Sequence, residues 1–196
     1  MAKAKTILGI DLRVNSVKIV EIESQNGTVI ITNWGLTEIP NDLIDKHPEK
    51  EEAQIDALQK LLKSRQIKTT NAAVVLGGAD VSVKLFTLAE APREELLEGI
   101  RWKFAEEVSY PAEEALVEYY PLSRSTAAPK DKKEYLAASI NKHIYEEMDA
   151  LLRRAGLNLV ALTILPDALQ KVFTPIVKPE VDKVLALLYM GKRTTN

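Results

Sequence analysis

Thr6-Ile7-Leu8-Gly9-Ile10-Asp11-Leu12, a short Arg13-Val14-Asn15 turn, and Ser16-Val17-Lys18-Ile19-Val20-Glu21-Ile22 together decide the fold. Two runs rich in Ile, Val and Leu on either side of a turn predict a strand–turn–strand unit. Asp11 stands at the inner end of the first strand with apolar neighbours on both sides. An unpaired charge in such a place is costly, so the carboxylate needs a partner. Lys18, two residues beyond Ser16 on the returning strand, is placed for a phosphate contact, with Asp11 facing a metal ion or a water. The plainer alternatives are a satisfied strand-end charge for Asp11, a solvated strand lysine for Lys18 and an ordinary turn hydroxyl for Ser16.

Working outward, residues 28–39 read as a third strand, joined to the second through Ser24-Gln25-Asn26-Gly27, an Asn-Gly hairpin signal. Val29, Ile31 and Asn33 are expected on one of its faces, Ile30 and Thr32 on the other. Ile55, Leu58, Leu61 and Leu62 recur at helical spacing within residues 51–65. Residues 71–76 form a short apolar strand, followed by the turn Gly77-Gly78-Ala79-Asp80. That glycine pair lacks the Lys-Ser/Thr that follows a phosphate cradle. Residues 81–88 alternate, with Val81, Val83 and Leu85 on one face and Ser82, Lys84 and Thr87 on the other.

Pro92 then opens an amphipathic helix over 93–108, whose apolar face carries Leu96, Ile100, Phe104 and Val108, with Leu97 beside them. Strands at 114–122 and 134–140 flank a polar, Pro-containing joint. A helix over 141–155 ends at Gly156, a strand covers 159–165, and a helix starts at Pro166. Residues 183–189 are expected to form the last strand. This order predicts a larger α/β core interrupted by a small α/β insertion.

Composition narrows the function classes. The chain has 196 residues, 46% of them hydrophobic and 28% charged, and a net charge of −2. Nothing in that balance draws it to nucleic acid or to an anionic membrane. There is no cysteine, which excludes disulfide frameworks and thiolate chemistry. His47 and His143 lack ligand spacing. No apolar run approaches the ~20 residues that span a bilayer.

Four stretches taken together carry a family resemblance: Gly9-Ile10-Asp11 with Ser16-Val17-Lys18-Ile19-Val20-Glu21; Ile100-Arg101-Trp102 through Tyr110-Pro111 and on to Tyr119-Tyr120; Leu152-Arg153-Arg154-Ala155-Gly156-Leu157 with Leu165-Pro166-Asp167-Ala168-Leu169; and Met190-Gly191-Lys192-Arg193-Thr194-Thr195-Asn196. Over essentially its whole length the chain resembles the PilM family, actin-like proteins of type IV pilus assembly related more distantly to the cell-division protein FtsA. The resemblance implies an α/β fold. This is the N-terminal half of an actin-like ATPase (ribonuclease H-like), with a core subdomain at 1–88 and 158–196 and a small inserted α/β subdomain at 89–157.

The same resemblance implies an ATP and magnesium site in the full-length form. Asp11 would be the metal ligand, Asn15, Ser16 and Lys18 nucleotide contacts from the first loop, and Gly191 and Thr194 contacts from the second. Arg13 stands where the family usually has Gly or Ser. Tyr189 stands where a second carboxylate is expected, which argues against hydrolysis, and no catalytic residue is assigned. A second half would follow Asn196 in such a fold, so this half alone is expected to bind ATP weakly or not at all.

The implied partner is the short cytoplasmic N-terminal peptide of PilN, docking between the core and inserted subdomains as an added strand. Val83, Leu85, Leu97, Arg101 and Leu116 are its expected contacts. Other pilus assembly proteins are further expected partners, and self-association is left open. The implied location is cytoplasmic, peripheral to the inner membrane through partners and without direct insertion. The alternatives are an ATPase, an FtsA-like filament former, or the cytoplasmic domain of a GspL-like type II secretion protein.

Overall fold

The computed structural model describes residues 5–43, 46–122, 131–177 and 186–190. Its contacts divide the chain into two units, Met1–Gly78 with Met148–Asn196, and Ala79–Glu147.

The first unit begins with antiparallel strands β1 (Lys5–Arg13), β2 (Ser16–Gln25) and β3 (Thr28–Glu38). Asn26 and Gly27 turn the second hairpin with φ of 51° and 81°, as the Asn-Gly signal predicts. Helix α1 (His47–Ser64), with Pro48 in its first turn, leads to β4 (Asn71–Leu76), which runs parallel to β1. Strand β8 (Asn158–Ile164) lies parallel to β4 and completes a sheet of order β3-β2-β1-β4-β8. Helix α4 (Leu165–Phe173) follows directly.

Leu8, Ile10, Val17 and Ile19 alternate onto one face of this sheet and are buried, as are Ile55, Leu58 and Leu61 of α1. Gly35 admits that helix: a Cβ built there would lie 2.8 Å from Leu61 Cδ2. Gly35→Val is therefore expected to cost about 1–3 kcal/mol through overpacking. A urea melt showing an unchanged midpoint would contradict this.

Strand β3 departs from simple alternation. The pairing shifts between Glu21 and Ile22, so that Ile31 pairs with Ile22 while Asn33 pairs with Glu21. Thr32 is the extra residue, and it moves Asn33 to the face opposite Val29 and Ile31. The Thr32 hydroxyl donates to Glu21 Oε2 at 2.9 Å and the Thr69 hydroxyl to Glu21 Oε1 at 2.6 Å. Glu21 is thereby a satisfied structural carboxylate.

The second unit is a sheet of order β5-β7-β6 with one helix on it. Strands β5 (Ser82–Ala89) and β6 (Ala115–Pro121) each pair antiparallel with the central β7 (Lys132–Asn141). Helix α2 (Arg93–Ala105) lays Leu96, Ile100 and Phe104 against Tyr135 and Ala137, with Phe86, Leu88, Val117 and Tyr119 around them. Phe86 meets Phe104 edge-on at 5.1 Å, and Tyr119 meets Tyr135 edge-on at 5.4 Å. Fully buried Ser139 shares a 2.9 Å hydrogen bond with the Tyr110 hydroxyl.

Three expectations shift. Strand 82–89 pairs with β7, so it belongs to the smaller sheet, and the division falls after Gly78 rather than after Leu88. Helix α3 (Lys142–Arg154) joins the first unit from Met148 onward, ten residues before the expected boundary at 157. Its last residues anchor there: Gln59 Nε2 donates to Arg154 O at 3.2 Å, and Arg154 pairs with Glu51 and Glu52. Of the expected last strand, 183–185 lie outside the described residues, 186–189 have no regular structure, and Met190 forms an isolated bridge. No helix among the described residues is long and apolar enough to cross a membrane.

Candidate functional site

The β1–β2 hairpin assembles a charged cluster at the C-terminal end of β1. Asp11 and Lys18 are cross-strand partners, so their side chains share a face, and Arg13 shares it as the second residue beyond Asp11. Lys18 Nζ donates to Asp11 Oδ2 at 3.1 Å, and Arg13 Nε donates to Asp11 Oδ1. Both carboxylate oxygens are thus engaged by cations. The Asp11 and Arg13 side chains are about one-fifth exposed, so the pair is better shielded than a surface bridge, whereas Lys18 is 42% exposed.

The guanidinium lies over the end of β4. A Cβ on Gly77 would stand 3.1 Å from Arg13 Nη1 and 3.3 Å from Leu165 Cβ, so this position keeps the Arg13 side chain in place by having none. Arg13 Nη2 is buried and has no hydrogen-bond partner among the described residues. The backbone is pinned nearby: Gln54 Nε2 donates to Arg13 O at 3.1 Å, and Ile39 N donates to Asn15 O at 2.9 Å. Asn15 lines a cavity of about 290 Å³ with Glu38, Ile39, Pro40 and Asn41. Ser16 is buried opposite Arg13 in the pairing.

Asp11, Asn15, Ser16 and Lys18 are therefore brought to one hairpin, whereas Gly191 and Thr194 lie outside the described residues. The donor set does not fit a metal ion. A divalent cation at Asp11 would meet two positive side chains already seated on that carboxylate. No group of three His, Cys, Asp or Glu residues that could hold a metal occurs among the described residues. Two cations set against one carboxylate leave the cluster net positive.

Sequence reasoning treated Arg13 only as a substitution in the first loop and set Gly77 aside. The available signal was the two-residue spacing of Asp11 and Arg13, which puts both on one face of a strand.

The expected peptide contacts separate into two groups. Val83, Leu85 and Leu116 lie on the sheet face away from α2, joined by Leu136 and Tyr120 through the pairings Leu85–Leu136 and Tyr120–Leu136. All five side chains are exposed, Leu85 and Tyr120 by more than half (53% and 55%). Thr87 falls on this same face, with Val83 rather than with Lys84, because β5 alternates without a break. Leu97 and Arg101 are carried by α2, on the opposite side of the sheet, where both are half-buried and Arg101 Nε has no hydrogen-bond partner among the described residues.

Comparison with known proteins adds the family. The family model described as type IV pilus assembly protein PilM matches residues 9–196. A solved PilM–PilN type IV pilus biogenesis complex is similar at a TM-score of 0.73 and 19% identity, over 87% of this chain and 50% of that one. The cytoplasmic domain of EpsL, an inner-membrane component of the type II secretion system of Vibrio cholerae, is similar at a TM-score of 0.48 and 13% identity, over 82% of this chain and 57% of that one. A Bacteroides thetaiotaomicron protein with actin-like ATPase fold and unknown function is similar at 0.38 and 15%, over 87% and 56%. The chain thus spans about half the length of the PilM structure it matches.

Proposed function

Since the chain belongs to the PilM family of actin-like type IV pilus assembly proteins, we propose that it is a docking subunit of the pilus machinery that captures an extended partner segment on its three-stranded sheet. The observation that carries this is the open face of that sheet, where Val83, Leu85, Leu116, Tyr120 and Leu136 present apolar side chains to solvent. An apolar sheet face left open is a recognised mark of an interaction surface.

The order β5-β7-β6 adds two edge strands, each with one row of backbone groups unpaired within the sheet. An extended peptide added at either edge gains main-chain hydrogen bonds, and its alternate side chains land on the open face. Leu116 and Val83 lie on the two edge strands beside those rows.

The partner in this reading is the cytoplasmic N-terminal peptide of a PilN-type protein, as the family resemblance implies; the likeness to a solved PilM–PilN complex supports a PilN-type partner. In this reading the protein sits in the cytoplasm and is held at the inner membrane by its partner. Its contribution is positional: it orders a flexible tail, with no covalent chemistry required. Titrating a synthetic PilN-type tail peptide into the 196-residue chain tests this by calorimetry. Saturable binding at least about tenfold tighter than that of a scrambled peptide is expected, a gap of about 1.4 kcal/mol. Equal affinities would remove the reading.

A further inference from the structure

We infer that the β2–β3 hairpin, flanked by the cations at the end of α1, is a contact surface for an anionic lipid bilayer. From Ser24 to Thr37 the sequence carries no charged residue, in a chain of which 28% is charged. That stretch is the hairpin tip and nearly all of β3, an edge strand of the larger sheet. Val29, Ile30, Ile31, Trp34 and Leu36 are each exposed by half or more, Trp34 by 65%. Exposed apolar side chains gathered in this way mark a surface for a protein or a membrane.

The register favours the membrane. Val29, Ile31 and Trp34 share one face through their partners Ser24, Ile22 and Val20, whereas Ile30 lies on the other face opposite Glu23. A docked protein covers one face of a strand, while an apolar tip with side chains on both faces suits immersion in a surrounding medium. The edge is also poorly suited to sheet extension, because the extra residue at Thr32 interrupts the ladder and bends the strand.

Charge points the same way. Residues 57–79 hold Lys60, Lys63, Arg65 and Lys68 and no acid. All four are exposed at or just beyond the C-terminal end of α1. That end is fastened to the hairpin: Asn33 Nδ2 donates to Arg65 O at 3.0 Å, and the Arg65 guanidinium stands over the Trp34 ring at 5.7 Å. Among the described residues none of the four is in an ion pair, whereas Arg93, Lys133 and Arg154 each hold an acid. A cavity of about 450 Å³ opens here, lined by Lys63, Lys68, Gln59 and Gln66 with Leu62 and Ile67, and no carboxylate lines it. Cationic amines beside apolar groups suit a headgroup phosphate above acyl chains. The net charge of −2 conceals this local asymmetry. On β2, opposite the uncharged stretch, Glu21 is occupied by the Thr32 and Thr69 hydroxyls, and Glu23 opposes the contact. Tryptophan and isoleucine beside lysine and arginine are the composition of segments that lie in a membrane interface without spanning it.

The test is co-sedimentation of the 196-residue chain with vesicles of equal parts phosphatidylcholine and phosphatidylglycerol, and with vesicles of phosphatidylcholine alone. Partition onto the anionic vesicles at least about tenfold stronger is expected, and it should fall as salt is raised. The chain has two tryptophans, so Trp102→Phe leaves Trp34 as the reporter. Its emission should move to the blue on anionic vesicles and be quenched by brominated acyl chains. The double substitution Lys63→Ala, Lys68→Ala should weaken partition on the order of tenfold or more, at about fivefold for each cation near the surface. Trp34→Ala should weaken it about tenfold, roughly the contribution of burying a large apolar side chain. Glu23→Gln should strengthen it. Circular dichroism checks the fold of each variant, and the comparison of the two vesicles needs no variant at all. No partition, equal partition onto both vesicles, or unmoved Trp34 emission would overturn the inference. Self-association without vesicles that Trp34→Ala abolishes would also overturn it, by assigning the surface to a second copy. The surface lies on the larger sheet and no partner peptide is involved, so failure here leaves the docking proposal standing, and the reverse also holds.

Discussion

Phe104→Ala will remove the tertiary structure of the Ala79–Glu147 unit while leaving the larger sheet protected. Phe104 is fully buried, stands edge-on to Phe86 at 5.1 Å, and is the largest of the residues with which α2 covers its sheet. Truncating a buried phenylalanine to alanine costs about 3–5 kcal/mol, the lost transfer energy and the cavity together. Whole domains hold only about 5–15 kcal/mol.

The unit has little to fall back on. Its buried cluster is Leu96, Ile100, Phe104, Tyr135 and Ala137, and on the other face of its sheet Val83, Leu85, Leu116, Tyr120 and Leu136 are exposed. A cavity left by Phe104 cannot be filled from a second layer. Hydrogen exchange read by mass spectrometry should show β5, β6, β7 and α2 losing protection while β1, β2 and β4 keep theirs. Equal loss in both units would mean that they unfold as one, and full protection in both would mean that the small core repacks.

The elements that sequence foretold are those whose information is local. The β1–β2 hairpin follows from two apolar runs around a turn, whereas Lys18, expected on a phosphate, is found on Asp11. The Asn26-Gly27 turn follows from backbone preference. The buried stripe Leu96, Ile100, Phe104 of α2 follows from helical spacing.

What sequence missed is decided elsewhere in the chain. Alternation in 81–88 correctly puts Val83 and Leu85 on one face, but alternation does not name a strand's partner, and pairing with β7 moves that strand to the smaller sheet. A single extra residue at Thr32 reversed the face of Asn33, a change that no composition rule registers. Leu97 and Arg101 are expected with Leu85 and Leu116 as contacts of one docked peptide, yet the helix lies on the opposite side of the sheet. The apolar run at 183–189 satisfied every local criterion for a strand, and its described part, 186–189, has no regular structure. At the charged hairpin, both Arg13 and Gly77 were visible, but their meeting depends on the parallel alignment of β1 with β4, which brings together segments some sixty residues apart.

The double substitution Leu85→Asp, Leu136→Asp is expected to abolish capture of the partner tail without unfolding the unit. Leu85, Leu136 and Tyr120 form one row across all three strands, Leu85 and Tyr120 each pairing with Leu136, and the row runs through the middle of the open face. Both leucines are exposed in the free protein, 53% and 39%, so carboxylates there remain hydrated and the fold loses little. A docked segment would change that. It would remove water from two carboxylates, in addition to losing the apolar contact, and an unpaired desolvated charge costs several kcal/mol. Central positions of an interface commonly account for 2 kcal/mol or more each, so the loss should be about a hundredfold or greater.

The control is Leu97→Asp, a comparable change on α2 at the opposite side of the sheet. Its fold is checked by circular dichroism, and its affinity for the tail should stay within about threefold of the unmodified chain, the range expected for a residue outside the contact. If Leu97→Asp abolished binding and the double substitution did not, the segment would dock on the helix side, and the open face would owe its exposure to some other partner.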